Sequence, residues 1–213
     1  PSAQTDWRFF WSNGGRNASN LTNCGSIYVE AGLNNVVKYN NSTPRFLSNP
    51  LPYICINQPF TYVNDPWDPN GDSLWVYQQI PFSPRQSFSV NDTGLVCGYA
   101  TGYSVNDPIG SVAGSPYKLN PITGAATFTP STQGFFVLGF RVEDYERGSG
   151  TLLSYVYRDV QVSVLPCTAP PPDIDSTSQI VTSIENGTLI QTPTLGDVFY
   201  VCPGSPLKFS VNS

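Results

Sequence analysis

Apolar and aromatic side chains alternate with polar ones in short runs, over residues 7–11, 26–33, 53–62 and 73–80 and again over 127–129, 134–145, 151–164 and 198–211. Period two sends successive side chains to opposite faces of an extended backbone, and turn residues separate the runs, so the pattern predicts antiparallel strands. Many short strands in series predict a sandwich or barrel. No segment carries the period of an amphipathic helix. The clearest strand covers residues 151–164, where Val156, Val160, Val162 and Val164 recur in a stretch rich in Tyr and Val.

The stretch Pro166-Cys167-Thr168-Ala169-Pro170-Pro171-Pro172 ends that strand, because proline lacks an amide donor and stiffens the chain into an extended form. A domain boundary is expected there. The segment Tyr200-Val201-Cys202-Pro203-Gly204-Ser205-Pro206-Leu207-Lys208-Phe209 repeats the aromatic, Cys, turn, Pro and aromatic order of Tyr53 to Tyr62. The echo predicts tandem repetition of one sandwich type. The plainer alternative is two unrelated strands that each contain a cysteine.

Composition narrows the class. The 213 residues suffice for one large or two smaller domains, and 18 Gly, 20 Pro and 13% aromatic residues against 12% charged ones suit strands and turns. A net charge of −5 with few Lys and Arg lacks the electrostatic footprint of nucleic-acid binding. No signal peptide and no apolar run long enough to span a bilayer is visible, so the reading is a mature or excised segment of a secreted protein, without membrane insertion. Five cysteines without C-x-x-C spacing and no histidine argue against structural zinc and for disulfides in an oxidising compartment. The odd count leaves one cysteine free or paired outside the chain.

The main candidate for chemistry is Asp65-Pro66-Trp67-Asp68-Pro69-Asn70-Gly71-Asp72-Ser73-Leu74. Asp68, Asn70 and Asp72 alternate, and Gly71 lets the backbone fold so that their oxygens converge on a hard cation such as calcium. Gly71 at the fourth position and Gln79 at the twelfth separate the loop from an EF-hand. Further ligands are expected from Asp65, Glu143, Asp144 or Asp159, although Arg141 and Arg158 are equally suited to pair with those carboxylates. The competing reading is a solvated Asx turn, for which the same residue types are suited.

Catalysis is not expected. Adjacent Glu143 and Asp144 point to opposite faces of a strand and cannot flank one glycosidic bond, and no histidine is present to serve a Ser or Cys nucleophile. A phosphate-cradling glycine loop with lysine is also missing. Trp7 and Trp11 share a strand face and are expected in the core. Trp67 beside the acidic loop is the candidate for stacking on a sugar. Asn17, Asn20, Asn41, Asn91 and Asn186 head N-glycosylation sequons, and Asp72-Ser73-Leu74 and Asp175-Ser176-Thr177 match a short bacterial O-glycosylation pattern.

An ordered series of motifs carries a family resemblance. It runs from Asp6-Trp7, Arg16-Asn17-Ala18, Ile27-Tyr28-Val29-Glu30-Ala31 and Asn41-Ser42-Thr43-Pro44-Arg45-Phe46 to Pro52-Tyr53-Ile54-Cys55 and Asp68-Pro69-Asn70-Gly71-Asp72. It continues through Thr123-Gly124, Phe128-Thr129-Pro130, Arg141-Val142-Glu143-Asp144-Tyr145 and Arg158-Asp159-Val160-Gln161-Val162. Together these resemble the repeat-rich surface proteins of Bacteroidota that carry gliding-motility-associated C-terminal sorting domains and leave by type IX secretion. Residues 55–167 also resemble cadherin-like, dystroglycan-type modules. Thr5 and Gly14-Gly15 stand where such relatives tend to have cysteines, and Cys24 and Cys97 where they do not, so the disulfide pattern stays open, a Cys24–Cys97 bridge being one option.

The resemblance implies an all-β chain of tandem immunoglobulin-like (cadherin-like) β-sandwich modules. Residues 1–50 would end one module, 51–167 would form a complete one, and 168–213 would be a linker and the first strands of the next. The implied function is non-enzymatic: a structural segment of a large secreted, extracellular cell-surface adhesin or filament, stiffened by calcium, serving attachment or gliding motility beside neighbouring modules of the same protein. Two rivals remain: a carbohydrate-binding module with an exposed aromatic platform for surface polysaccharide, and a filament subunit that self-associates.

Overall fold

The computed structural model describes residues 2–50, 53–84 and 94–168 with their side chains, and beyond them the backbone of four strands. Two compact units divide at Thr168/Ala169. The first contains β1 (Trp7–Gly14), β2 (Leu21–Thr22), β3 (Ser26–Leu33), β4 (Arg45–Phe46), β5 (Tyr53–Cys55), β6 (Phe60–Tyr62), β7 (Pro66–Trp67) and β8 (Ser73–Gln78). It continues with β9 (Phe82–Ser83), β10 (Leu95–Val96), β11 (Gly98–Tyr99), β12 (Lys118–Leu119), β13 (Ala126–Phe128), β14 (Gly134–Tyr145) and β15 (Leu152–Leu165). The second unit holds β16 (Val181–Glu185) paired with β19 (Lys208–Val211), and β17 (Gly187–Thr192) paired with β18 (Gly196–Val201). The chain is all-β, with no helix among the described residues.

Strands β10, β9, β3, β15, β14 and β8 lie side by side in one sheet, to which β1 adds beside β3 and β5 beside β15. The ladder between β14 and β15 runs from Gly134↔Val164 to Tyr145↔Leu152 and is the spine of the unit. Alternation gives it two faces. On one face Phe136, Leu138, Phe140 and Val142 of β14 and Val160, Val162 and Val164 of β15 are buried against the smaller sheet β12-β13-β6. Tyr62 stacks on Phe140 and Tyr117 on Phe128, closing a sandwich core. On the other face Val137 meets Leu21, Cys24 and Cys97, and Gln79 crosses over Gly139, so β14 reads as a nearly continuous apolar run.

Two disulfides, Cys24–Cys97 and Cys55–Cys167, tie the strands. The structure thus contains the Cys24–Cys97 bridge that the sequence left as an option. Disulfides of this kind belong to an oxidising compartment. No helix among the described residues is long and apolar enough to cross a membrane.

The expected division near residue 50 is not a division of this structure. Trp7 to Gly14 pair with Leu33 to Ser26, and Leu33, Gly32 and Ala31 pair in turn with Ser154, Tyr155 and Val156. The first fifty residues therefore complete the sheet that the later residues build. Trp7 and Trp11 do share a face, but that face of β1 has no covering layer among the described residues, and Trp11 is 55% exposed instead of core. The Asn91 and Asn186 sequons, Asp175 to Thr177 and Cys202 to Leu207 lie outside the described residues.

Candidate metal centre

The acidic loop connects β7 to β8 and is shaped by its first carboxylate. Oδ1 of Asp68 accepts the backbone N–H groups of Asn70 and Asp72, each at 2.9 Å, and Gly71 takes the left-handed conformation at φ 74° that closes the turn. The Asx turn is therefore present. It uses one oxygen of Asp68 and leaves the other, Oδ2, buried without a donor.

Asp144 arrives from the spine. It is the last core-facing position of β14, opposite Leu74 of β8 and Ser154 of β15, and is fully buried. Its Oδ2 accepts from Asn41 Nδ2 at 2.7 Å and from Ser154 Oγ at 3.0 Å, while Oδ1 has no donor. Carboxylate oxygens of Asp68, Asp72 and Asp144 lie within 4.8 Å of one another. Burial, opposed by the Asn41 and Ser154 hydrogen bonds, holds the Asp144 carboxyl above its ordinary value.

A second loop, between β3 and β4, folds onto the first. Asn70 Oδ1 accepts the Ser42 N–H at 2.8 Å and pins this loop in place, which delivers Asn41 and Lys38. The Asn41 Oδ1 atom is a third buried acceptor without a donor. Lys38 Nζ lies 2.5 Å from Asp72 Oδ2, and that hydrogen bond raises the ammonium pKa. Asp68 Oδ2, Asp144 Oδ1 and Asn41 Oδ1 are hard oxygen acceptors that lack hydrogen-bond donors, beside the Asp72 carboxylate that pairs with Lys38. Such a donor set fits a hard cation, and the triad can hold a metal ion.

The remaining predicted ligands go elsewhere. Asn70 spends its oxygen on Ser42 and acts as a tether. Asp65 is exposed at φ 48° and lies outside the acidic cluster, its carbonyl accepting from Leu47. Glu143 faces the opposite side of β14 from Asp144 and binds Arg141 at 2.5 Å and the Tyr145 hydroxyl. Asp159 is buried against Arg16, which also reaches the sulfurs of Cys24 and Cys97. Burial pushes the Asp159 carboxyl up to about 6, with Arg16 pulling the other way. Arg158 instead donates to the Ser48 carbonyl at 2.7 Å and lies over the Phe46 ring. Comparison of the chain with family models, curated proteins and solved structures found no match.

Proposed function

We propose that the chain is a non-enzymatic structural segment of a large secreted cell-surface adhesin or filament, in which calcium clamps the β3–β4 and β7–β8 loops to the end of β14. Asp68, Asp72, Asp144 and Asn41 hold the ion. The observation that carries this reading is that Asp68, Asp72 and Asp144 bring carboxylate oxygens within 4.8 Å of one another, while one oxygen each of Asp68, Asp144 and the neighbouring Asn41 is buried without a donor. Calcium neutralises carboxylates that otherwise repel one another and makes the two loops one rigid piece beside neighbouring modules. Attachment or gliding motility follows from the family resemblance, and the two disulfides are in keeping with an extracellular setting.

The rival for the acidic cluster is internal neutralisation by Lys38. Thermal unfolding in excess calcium and in excess chelator separates the two. Calcium at about a hundred times its dissociation constant should stabilise the chain by about 2.7 kcal/mol, a rise of a few degrees in Tm. An Asp68→Ala, Asp72→Ala variant should lose that rise. Identical melting in both conditions would leave the cluster as a lysine-bridged turn.

Sugar binding, the second reading, is favoured by one observation. Trp75 and Tyr77 are exposed on the outward face of β8 with ring centroids 6.4 Å apart, and Tyr145, Arg141 and Tyr155 continue that face. Rings of this kind stack on the CH faces of a polysaccharide.

A further inference from the structure

Strand β1 forms the margin of the large sheet, and among the described residues it is hydrogen-bonded on one side only. The Gly15 N–H donates to the Gly25 carbonyl, which makes the odd residues of β1 those bonded to β3. By antiparallel alternation Arg8, Phe10 and Ser12 turn their N–H and C=O groups outward. The opposite margin differs, because the Val76 N–H of β8 is met by the Pro121 carbonyl.

Exposed edges are ordinarily blunted by lysine, proline, a bulge or shortness. The segment Trp7-Arg8-Phe9-Phe10-Trp11-Ser12 has eight-residue strand length around it, one charge and no proline. Phe9, Phe10 and Trp11 are 58%, 42% and 55% exposed, so both faces of the strand are apolar as well as its edge being open. Unpaired backbone groups in a row are recognised by another extended strand.

We propose that this edge pairs antiparallel with the same edge of a second copy, about a two-fold axis through Phe9. An isologous contact must match itself, and this register does. Arg8 faces the partner's Phe10, placing a guanidinium against an aromatic ring, and Asp6 faces the partner's Ser12. On the other face Phe9 meets the partner's Phe9 and Trp7 meets the partner's Trp11. No like charges are opposed. The pairing joins two large sheets into one and is independent of whether the acidic cluster takes calcium.

The test uses the full chain carrying Cys202→Ser, which removes the cysteine that neither disulfide uses. Phe9 and the partner's Phe9 form a non-hydrogen-bonded pair with Cα atoms about 4.5 Å apart, within reach of a disulfide. The two Phe10 residues lie about 8 Å apart and are not. Phe9→Cys should therefore give a covalent dimer under mild oxidation far faster than Phe10→Cys or the exposed Val36→Cys. Sedimentation equilibrium should show a dimer whose dissociation constant rises at least about tenfold in Arg8→Pro, since proline removes an outward N–H that β3 does not use. Near-ultraviolet circular dichroism checks that this variant is folded, and the crosslinking comparison stands without it. A monomer at every concentration, equal linkage at Phe9→Cys and Val36→Cys, preferential linkage at Phe10→Cys, or a dimer indifferent to folded Arg8→Pro would each overturn the proposal.

Discussion

Asp159 shows how one residue's environment sets its role. The sequence offered it as one source of a further cation ligand, but its partner is Arg16, 143 positions earlier, which also reaches the sulfurs of the Cys24–Cys97 disulfide. Desolvation raises its carboxyl to about 6 despite the arginine. An acid whose pKa is higher folded than unfolded holds its proton more tightly in the folded state, so this group's contribution to stability is greatest at low pH and is lost as pH rises through about 6. The loss is on the order of 2 to 3 kcal/mol between about pH 4 and about pH 7. Urea midpoints across that range should show the falling component in the wild type and lack it in Asp159→Asn. At the acidic cluster, the proximity of Asp68 and Asp72 was legible because a turn brings residues four apart together. Asn41 and Lys38 were not, since only the tether from Asn70 to Ser42 brings their loop across.

Long elements announce themselves and short ones do not. The runs over 26–33 and 134–145 coincide with β3 and β14, where eight and twelve residues give alternation room to repeat. Two-residue strands such as β2, β4 and β7 carry no period and owe their existence to neighbours. The placement of β3, and of β1 beside it, was hidden for a related reason: the partner of β3 on its other side, β15, lies more than a hundred residues downstream, and strand pairing at that separation leaves no local trace. Close crossings leave one trace, a glycine. A Cβ at Gly139 would stand 2.3 Å from the Gln79 carbonyl oxygen, where backbone and not a flexible side chain must yield. Gly139→Ala should cost about 1 to 3 kcal/mol, read as a lower urea midpoint at unchanged slope.

At the scale of the whole molecule, the boundary after Thr168 was legible in proline content, whereas the unity of residues 1–168 was not, because it rests on sheet register and two crosslinks. The bridges close loops of 73 and 112 residues, each worth about 4 to 5 kcal/mol in the chain-entropy account. Access orders their reduction. Cys24 and Cys97 are buried, while Cys167 is exposed, so mild reductant should open Cys55–Cys167 first. Mass spectrometry of alkylated peptides reads that order, and opening of the buried bridge first would contradict it.

The hydrogen bonds of Asn20 and Asn41 bear on how the molecule can be made. Asn20 Nδ2 donates to the Pro108 and Val137 carbonyls, and Asn41 Nδ2 to Asp144. Those nitrogens are the atoms that a eukaryotic secretory host would glycosylate at the two sequons. A host that supplies the oxidising folding environment together with that modification offers a sugar to atoms the fold has already committed. A bacterial periplasm forms the disulfides and leaves both amides free for their partners.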